Sequence, residues 1–423
     1  MKRTLVLVLS FVVAGSAAGA ARADSRADRF AATVDGILTQ PYQPAYVPAG
    51  DDNAFDEPVP NTAPAQDYTT GSIPGSPDAP AWPVSFKPAL LHSADGARLL
   101  GMLSLRPGIH PGIVVVHGFN THGYASVVRW AALLAARGYN VLAADQRDFS
   151  FEYSAGYGYP NWLQTFGWKE SEDVLAAGRY LAAQAGVSTV GIVGFSEGAQ
   201  NTVLALALDA QSSAPVFKAG LTFSAPADQD TQIYSTAVPA GCATPLCTYP
   251  ATDALVELVV PPYSNADVCS VLGKAATYYG TDGFSILAQK SAFHAQTRIG
   301  VPLLNFYAND DSLVAPFQAS MMAAYEAGNP VQRTILLACG EHAYFYDRWW
   351  QQRAILLWFK ALLPGAARDA AIGTTATVNQ TVGGPPASAQ LVDLGSPSRA
   401  YADAQAAPYV FDTSQPPPAY SAP

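Results

Sequence analysis

Through the middle of the chain, short apolar runs alternate with amphipathic stretches, and that alternation predicts a fold. "ALLHSADGARLLGMLSL" holds two apolar runs around Asp95-Gly96, a hairpin signal. "GIVVVHG" is short, continuous and β-branched, as suits a strand buried on both faces. "SVVRWAALLAARG" has helical spacing and stops at Gly138, a natural C-cap. "YNVLAAD" predicts the next strand, and "KESEDVLAAGRYLAAQAG" a helix with acids in its first turn, where the helix dipole favours them. The alternation continues with "TVGIVGF" then "GAQNTVLALALDA", "KAGLTFSAP", "VPLLNFYA" then "PFQASMMAAYEAG", and "QRTILLA" then "DRWWQQRAILLWFKALL". Strands alternating with helices after an opening hairpin predict an α/β domain over residues 86–364, with a doubly wound, mostly parallel sheet. Residues 227–298 break the rhythm. A connection of that length predicts an inserted lid or cap.

The flanks read differently. "MKRTLVLVLSFVVAGSAAGAARADS" has a basic start, an apolar run and small residues, with "ARA" before Asp24 as an A-x-A cleavage site. It predicts a secretory signal over 1–23; the alternative, a membrane anchor, needs a longer apolar run than this one. Residues 24–85 are rich in Pro, Gly, Asp and Ala without sustained period, which predicts a mostly irregular leader. Residues 365–423 are again rich in Ala, Gly, Ser, Thr and Pro, a flexible tail with one short strand around "ATVNQTV".

Charge narrows the partners. Cleavage after Ala23 would remove Lys2, Arg3 and Arg22 and no acid, moving the net charge from −10 to about −13. An acidic chain without a basic stretch is a poor candidate for nucleic acid or anionic membrane, and no second apolar run is long enough to span a bilayer. The expected destination is outside the cell or the periplasm. The four cysteines are Cys242, Cys247, Cys269 and Cys339; no Cys/His cluster has zinc spacing, and export permits one bridge within the 242–269 segment.

Candidate chemistry centres on "TVGIVGFSEGAQ". Gly194 and Gly198 leave room for a tight turn around Ser196, where a strand pattern becomes a helical one. A plain helix N-cap would also use serine. The stretch resembles the nucleophile elbow of the α/β-hydrolase superfamily, whose chain order is nucleophile, acid, histidine. Of six histidines, only His342 lies beyond the strand that usually precedes the acid, and it sits in a Gly-x-His loop before the last helix. "VPLLNFYANDDSLVAP" resembles the family's acid turn, with Ala308 where glycine is commoner. Alignment on Val314 makes Asp311 the orienting acid; Asp310 stays open beside it, and Asp228 is a remote third choice. By the same resemblance, the backbone N–H groups of Phe119, in "VVVHGFNTHG", and of Glu197 form the oxyanion hole, and His117 braces the loop. The single His-Gly-Phe differs from the His-Gly-Gly-Gly loop of some lipases. "AADQRDFSFEY" resembles an Asp-x-Arg-Gly-x-Gly stretch, with Asp148 in place of glycine and Asp145 and Arg147 in structural roles. The aromatics from Phe149 to Trp168 either pack the leader and lid or line an acyl or aryl pocket.

The resemblance implies a secreted serine hydrolase that cleaves small or polymeric carboxylic esters through an acyl-enzyme. That chemistry calls for neither a metal nor an organic cofactor. The same triad serves peptidases and acyltransferases, and a non-catalytic binding protein of this fold is a rival from another class.

Overall fold

The computed structural model describes residues 26–42, 85–119, 123–147, 164–228, 291–311, 313–340, 348–363 and 386–406, together with 232, 275, 278–280, 342 and 343. Among these residues eight strands form one sheet: β1 (Lys87–His92), β2 (Arg98–Ser104), β3 (His110–Val116), β4 (Asn140–Ala144), β5 (Val187–Phe195), β6 (Phe217–Phe223), β7 (Leu303–Ala308) and β8 (Gln332–Leu337). Their order is β1-β2-β4-β3-β5-β6-β7-β8. The opening pair is an antiparallel hairpin with Leu90 opposite Leu100, and β2 joins β4 antiparallel with Leu103 opposite Leu142. Every later pairing is parallel. The doubly wound, mostly parallel sheet predicted from the alternation is the sheet observed.

The strand order reverses around β3, and that reversal opens a place for a site. The chain leaves β3 for β4 on one side and later returns to place β5 on the other. At such a switch point the segments beyond the two carboxyl ends diverge and leave a crevice. The segments there are His117–Phe119 after β3 and Ser196 after β5.

Alternate side chains of each strand feed two cores. Ile113 and Val115 of β3 join Val193, Phe195, Phe223 and Phe306 beneath α2 (Val128–Ala136) and α6 (Arg348–Leu362). Val114 and Val116 face the other way, beneath α3 (Trp168–Ala182), α4 (Glu197–Asp209) and α5 (Phe317–Glu326). On the first face Phe195, Phe223 and Phe306 stack across three neighbouring strands, with centroids 5.4 and 5.5 Å apart. Each of these buried rings contributes about 1.5–3 kcal/mol by leaving water. They also fix the heights at which β5, β6 and β7 end.

The flanks depart from expectation where they are described. Residues 26–38, expected to belong to an irregular leader, form a helix, α1. Phe30, Val34, Ile37 and Leu38 recur on one helical face and are buried in the first core, Phe30 edge-on to Trp358 at 5.7 Å. The Pro-rich composition begins only at Pro41, and it masked this short periodic stretch. Residues 386–406, expected to belong to a flexible tail, also dock. Leu391 bridges Leu337 at the outer edge of β8, Val392 N–H donates to Leu336 at 2.8 Å, and a last helix, α7 (Arg399–Ala406), packs on α5 with Ala402 fully buried. Pro386 bridges Pro41, so the two flanks meet. The signal segment 1–23, most of the 227–298 insertion, the aromatics from Phe149 to Trp162, the "ATVNQTV" strand and Cys242, Cys247 and Cys269 lie outside the described residues. Cys339 is a free thiol. Among the described residues no helix is long and apolar enough to cross a membrane.

Candidate active site

Ser196 occupies the single residue between the end of β5 and the start of α4, with φ 54° and ψ −127°. A left-handed backbone at a side-chain-bearing residue is strained and persists only where its surroundings impose it. Here they do. The Ser196 N–H donates to the Phe223 carbonyl at 2.8 Å, which ties the turn to β6. Glycine at 194 and 198 is a steric demand: a Cβ at 194 would overlap the Gly198 carbonyl and the Thr202 hydroxyl, and one at 198 would run into the His117 carbonyl. The G-x-S-x-G spacing is therefore explained by close backbone approach on both sides of the serine.

His342 lies in the loop after β8, 15% exposed, with its two ring nitrogens engaged on opposite sides. Nε2 is 2.7 Å from Ser196 Oγ, and Nδ1 is 2.9 and 3.0 Å from the two carboxylate oxygens of Asp311. A carboxylate can only accept, so Nδ1 carries the proton and Nε2 presents a lone pair to the serine hydroxyl. Asp311 Oδ1 also accepts the N–H groups of Leu313 at 2.9 Å and Val314 at 2.8 Å. Burial by itself would raise the Asp311 carboxyl; the His342 charge and hydrogen bond, the Val314 N–H and the Ser224 side chain outweigh it and hold the carboxyl below its ordinary value. Asp310 points elsewhere, its Oδ1 accepting the Gly340 N–H at 2.7 Å, so the two adjacent carboxylates divide the work of fixing this loop. Asp228 forms a backbone bridge with Ser291.

The segment after β3 closes the other side. A Cβ on Gly118 would lie 2.8 Å from Ser196 Cβ and 3.4 Å from its Oγ, so His117–Phe119 runs directly against the serine. Phe119 stacks on Phe166 at 6.4 Å. Glu197 opens α4, and the first N–H groups of a helix have no intrahelical acceptor. Its carboxylate is buried and accepts from Gln164 Nε2 at 3.1 and 3.2 Å. His117 braces the loop. Its Nδ1 bonds the Gly118 carbonyl at 2.7 Å, its Nε2 accepts the Gln146 N–H at 3.3 Å, and burial pushes its pKa down to about 4, so the ring is neutral. Arg147 is a buried structural cation, bonded to Asp173 at 2.7 Å and Asp95 at 2.7 Å, with Tyr279 Oη at 2.5 Å. Asp145 accepts the Tyr124 N–H at 2.5 Å.

Strand order, the reversal at β3 and the strained strand–serine–helix turn now stand together. This is the α/β-hydrolase fold. No protein-family model matches the chain, and no curated protein sequence does either. Solved structures that this chain resembles include the Pyrococcus furiosus esterase Pf2001 and Est1E from Butyrivibrio proteoclasticus. The first is 18% identical over 66% of this chain and 92% of that one, with a TM-score of 0.41. The second is 18% identical over 64% of this chain and 95% of that one, with a TM-score of 0.43. A puromycin hydrolase is 14% identical over 68% of this chain and 40% of its own, at 0.48. The assignment to the α/β-hydrolase fold rests on the topology and the elbow, not on these distant likenesses. One residue of the site carried no sequence signal: Ser224, at the end of β6, whose hydroxyl accepts the Ala343 N–H at 3.0 Å.

Proposed function

We propose that this chain is an exported serine hydrolase that cleaves carboxylic esters. The observation that carries the reading is the continuous hydrogen-bonded series Ser196–His342–Asp311, built on a left-handed serine between β5 and α4. Ser196 Oγ attacks the ester carbonyl carbon as His342 Nε2 removes its proton, and Asp311 stabilises the imidazolium that forms. The N–H groups of Phe119 and Glu197 receive the oxyanion; one such donor is worth about 10²–10³ in rate. His342 then protonates the leaving alcohol, and water, deprotonated by the same imidazole, releases the acid and restores Ser196. The basic-then-apolar start with its A-x-A site supports export to the periplasm or medium. Neither the sequence nor the site calls for a cofactor in this scheme.

Labelling by a fluorophosphonate, with and without Ser196→Ala, tests the nucleophile. The wild type is expected to label and the variant to stay unlabelled; equal labelling would remove Ser196 from the chemistry. Turnover of short-chain p-nitrophenyl esters against aminoacyl amides tests the substrate class. Faster amide turnover would replace the ester reading with a peptidase.

A further inference from the structure

Four residues other than glycine have a left-handed backbone among the described residues: Phe166, Ser196, Ser224 and Ala343. Three of the four are joined at one place. Ser196 N–H donates to the carbonyl of Phe223, the residue before Ser224. Ser224 N–H donates to the Phe306 carbonyl at 2.7 Å, which pins β6 to β7 just below the Asp311 turn. The Ser224 hydroxyl accepts the N–H of Ala343, the residue after His342, at 3.0 Å. Ser224 is fully buried, so water does not compete for that bond.

The geometry points to Ser224 as a positioning residue: its hydroxyl locks the His342 loop to the end of β6, and so to the turn that presents Ser196. The inference rests on the proposed roles of Ser196, His342 and Asp311. It explains why a serine stands at φ 52°, where glycine would sit without strain: glycine has no hydroxyl. Ser224 touches no reacting atom. It acts through the backbone beside His342.

The test compares Ser224→Ala with Ser224→Gly. Both lose the hydroxyl, but only glycine relieves the left-handed strain, so it is expected to melt higher than the alanine variant. If the hydroxyl positions His342, both variants lose kcat by about 10- to 100-fold, with KM within about twofold of wild type. The low-field proton resonance of the His342 Nδ1–H bonded to Asp311 shifts or broadens in both. Wild-type activity in the glycine variant would show that Ser224 serves only backbone stability, and an unmoved resonance in both variants would also overturn the proposal. A wild-type protein that neither labels nor cleaves esters would sink the proposed activity instead. The resonance would still report whether Ser224 holds His342 in place against Asp311.

Discussion

Among the described residues, two groupings of serine, histidine and aspartate are joined by hydrogen bonds, and they differ in physical character. At the carboxyl edge of the sheet, Ser196 and Asp311 bracket His342. Elsewhere, Ser291 Oγ lies 2.8 Å from His294 Nδ1, and His294 Nε2 lies 3.2 Å from Asp403 of α7. The distances are similar and the physics is not. His294 and Asp403 are 49% and 52% exposed, against 15% and 0% for His342 and Asp311. Asp403 also accepts the Tyr325 hydroxyl at 2.5 Å, which competes with the imidazole for the same oxygen. Ser291 has an extended backbone, φ −79° and ψ 98°, with no elbow to project its hydroxyl. In water an ion pair of this kind is screened and worth little. Hydrogen-bond connectivity alone therefore does not single out a candidate site; burial, backbone strain and a fixed carboxylate set the Ser196 grouping apart.

Substitutions can break or sharpen that contrast. The largest difference is expected from the acids. Asp311→Asn keeps the shape but favours the wrong imidazole tautomer, and kcat should fall by about 10⁴-fold, while Asp403→Asn leaves ester turnover unchanged. A comparable loss from both would erase the distinction. Next comes the elbow. Gly198→Ala forces a methyl group into the His117 carbonyl, and should cost about 2–4 kcal/mol in denaturant unfolding together with most of the activity.

Acid titration gives a finer measure. The folded Asp311 carboxyl is held below its unfolded value near 3.8. Its stabilisation is therefore present above that value and is lost as pH falls through the lowered one. Wild type should lose stability more steeply than Asp311→Asn on acidification from about pH 5 to about pH 2. The Asp403 carboxyl is lowered too, first by the Tyr325 hydroxyl, but it stands in solvent, and Asp403→Asn should leave that slope nearly unchanged. The smallest effect is expected from Ser291→Ala: no change in fluorophosphonate labelling, and a stability within about 0.5 kcal/mol of wild type.

Much of the molecule was legible in the chain because local signals and the fold agree. Short β-branched runs became strands, and Gly194 and Gly198 announced a turn that only glycines fit. Chain order pointed to His342. Alignment on Val314 favoured Asp311 but left Asp310 open, since neighbouring loop carboxylates differ only in direction; one points at His342 and the other at the Gly340 N–H. The first helix was hidden for another reason. Phe30, Val34, Ile37 and Leu38 have the right spacing, but they stand beside a Pro-rich stretch that dominates the composition. Ser224 had no signal at all, because its role depends on a backbone angle and on distant partners, Phe306 and Ala343.

The docking of residues 386–392 along β8 has a consequence for anyone who shortens this protein. With that strap in place, Leu336 and Ala338 spend their main-chain hydrogen bonds inside the molecule. A version trimmed before Pro386 would bare a flat, apolar sheet margin to the next molecule, and self-association through that margin would be the first symptom.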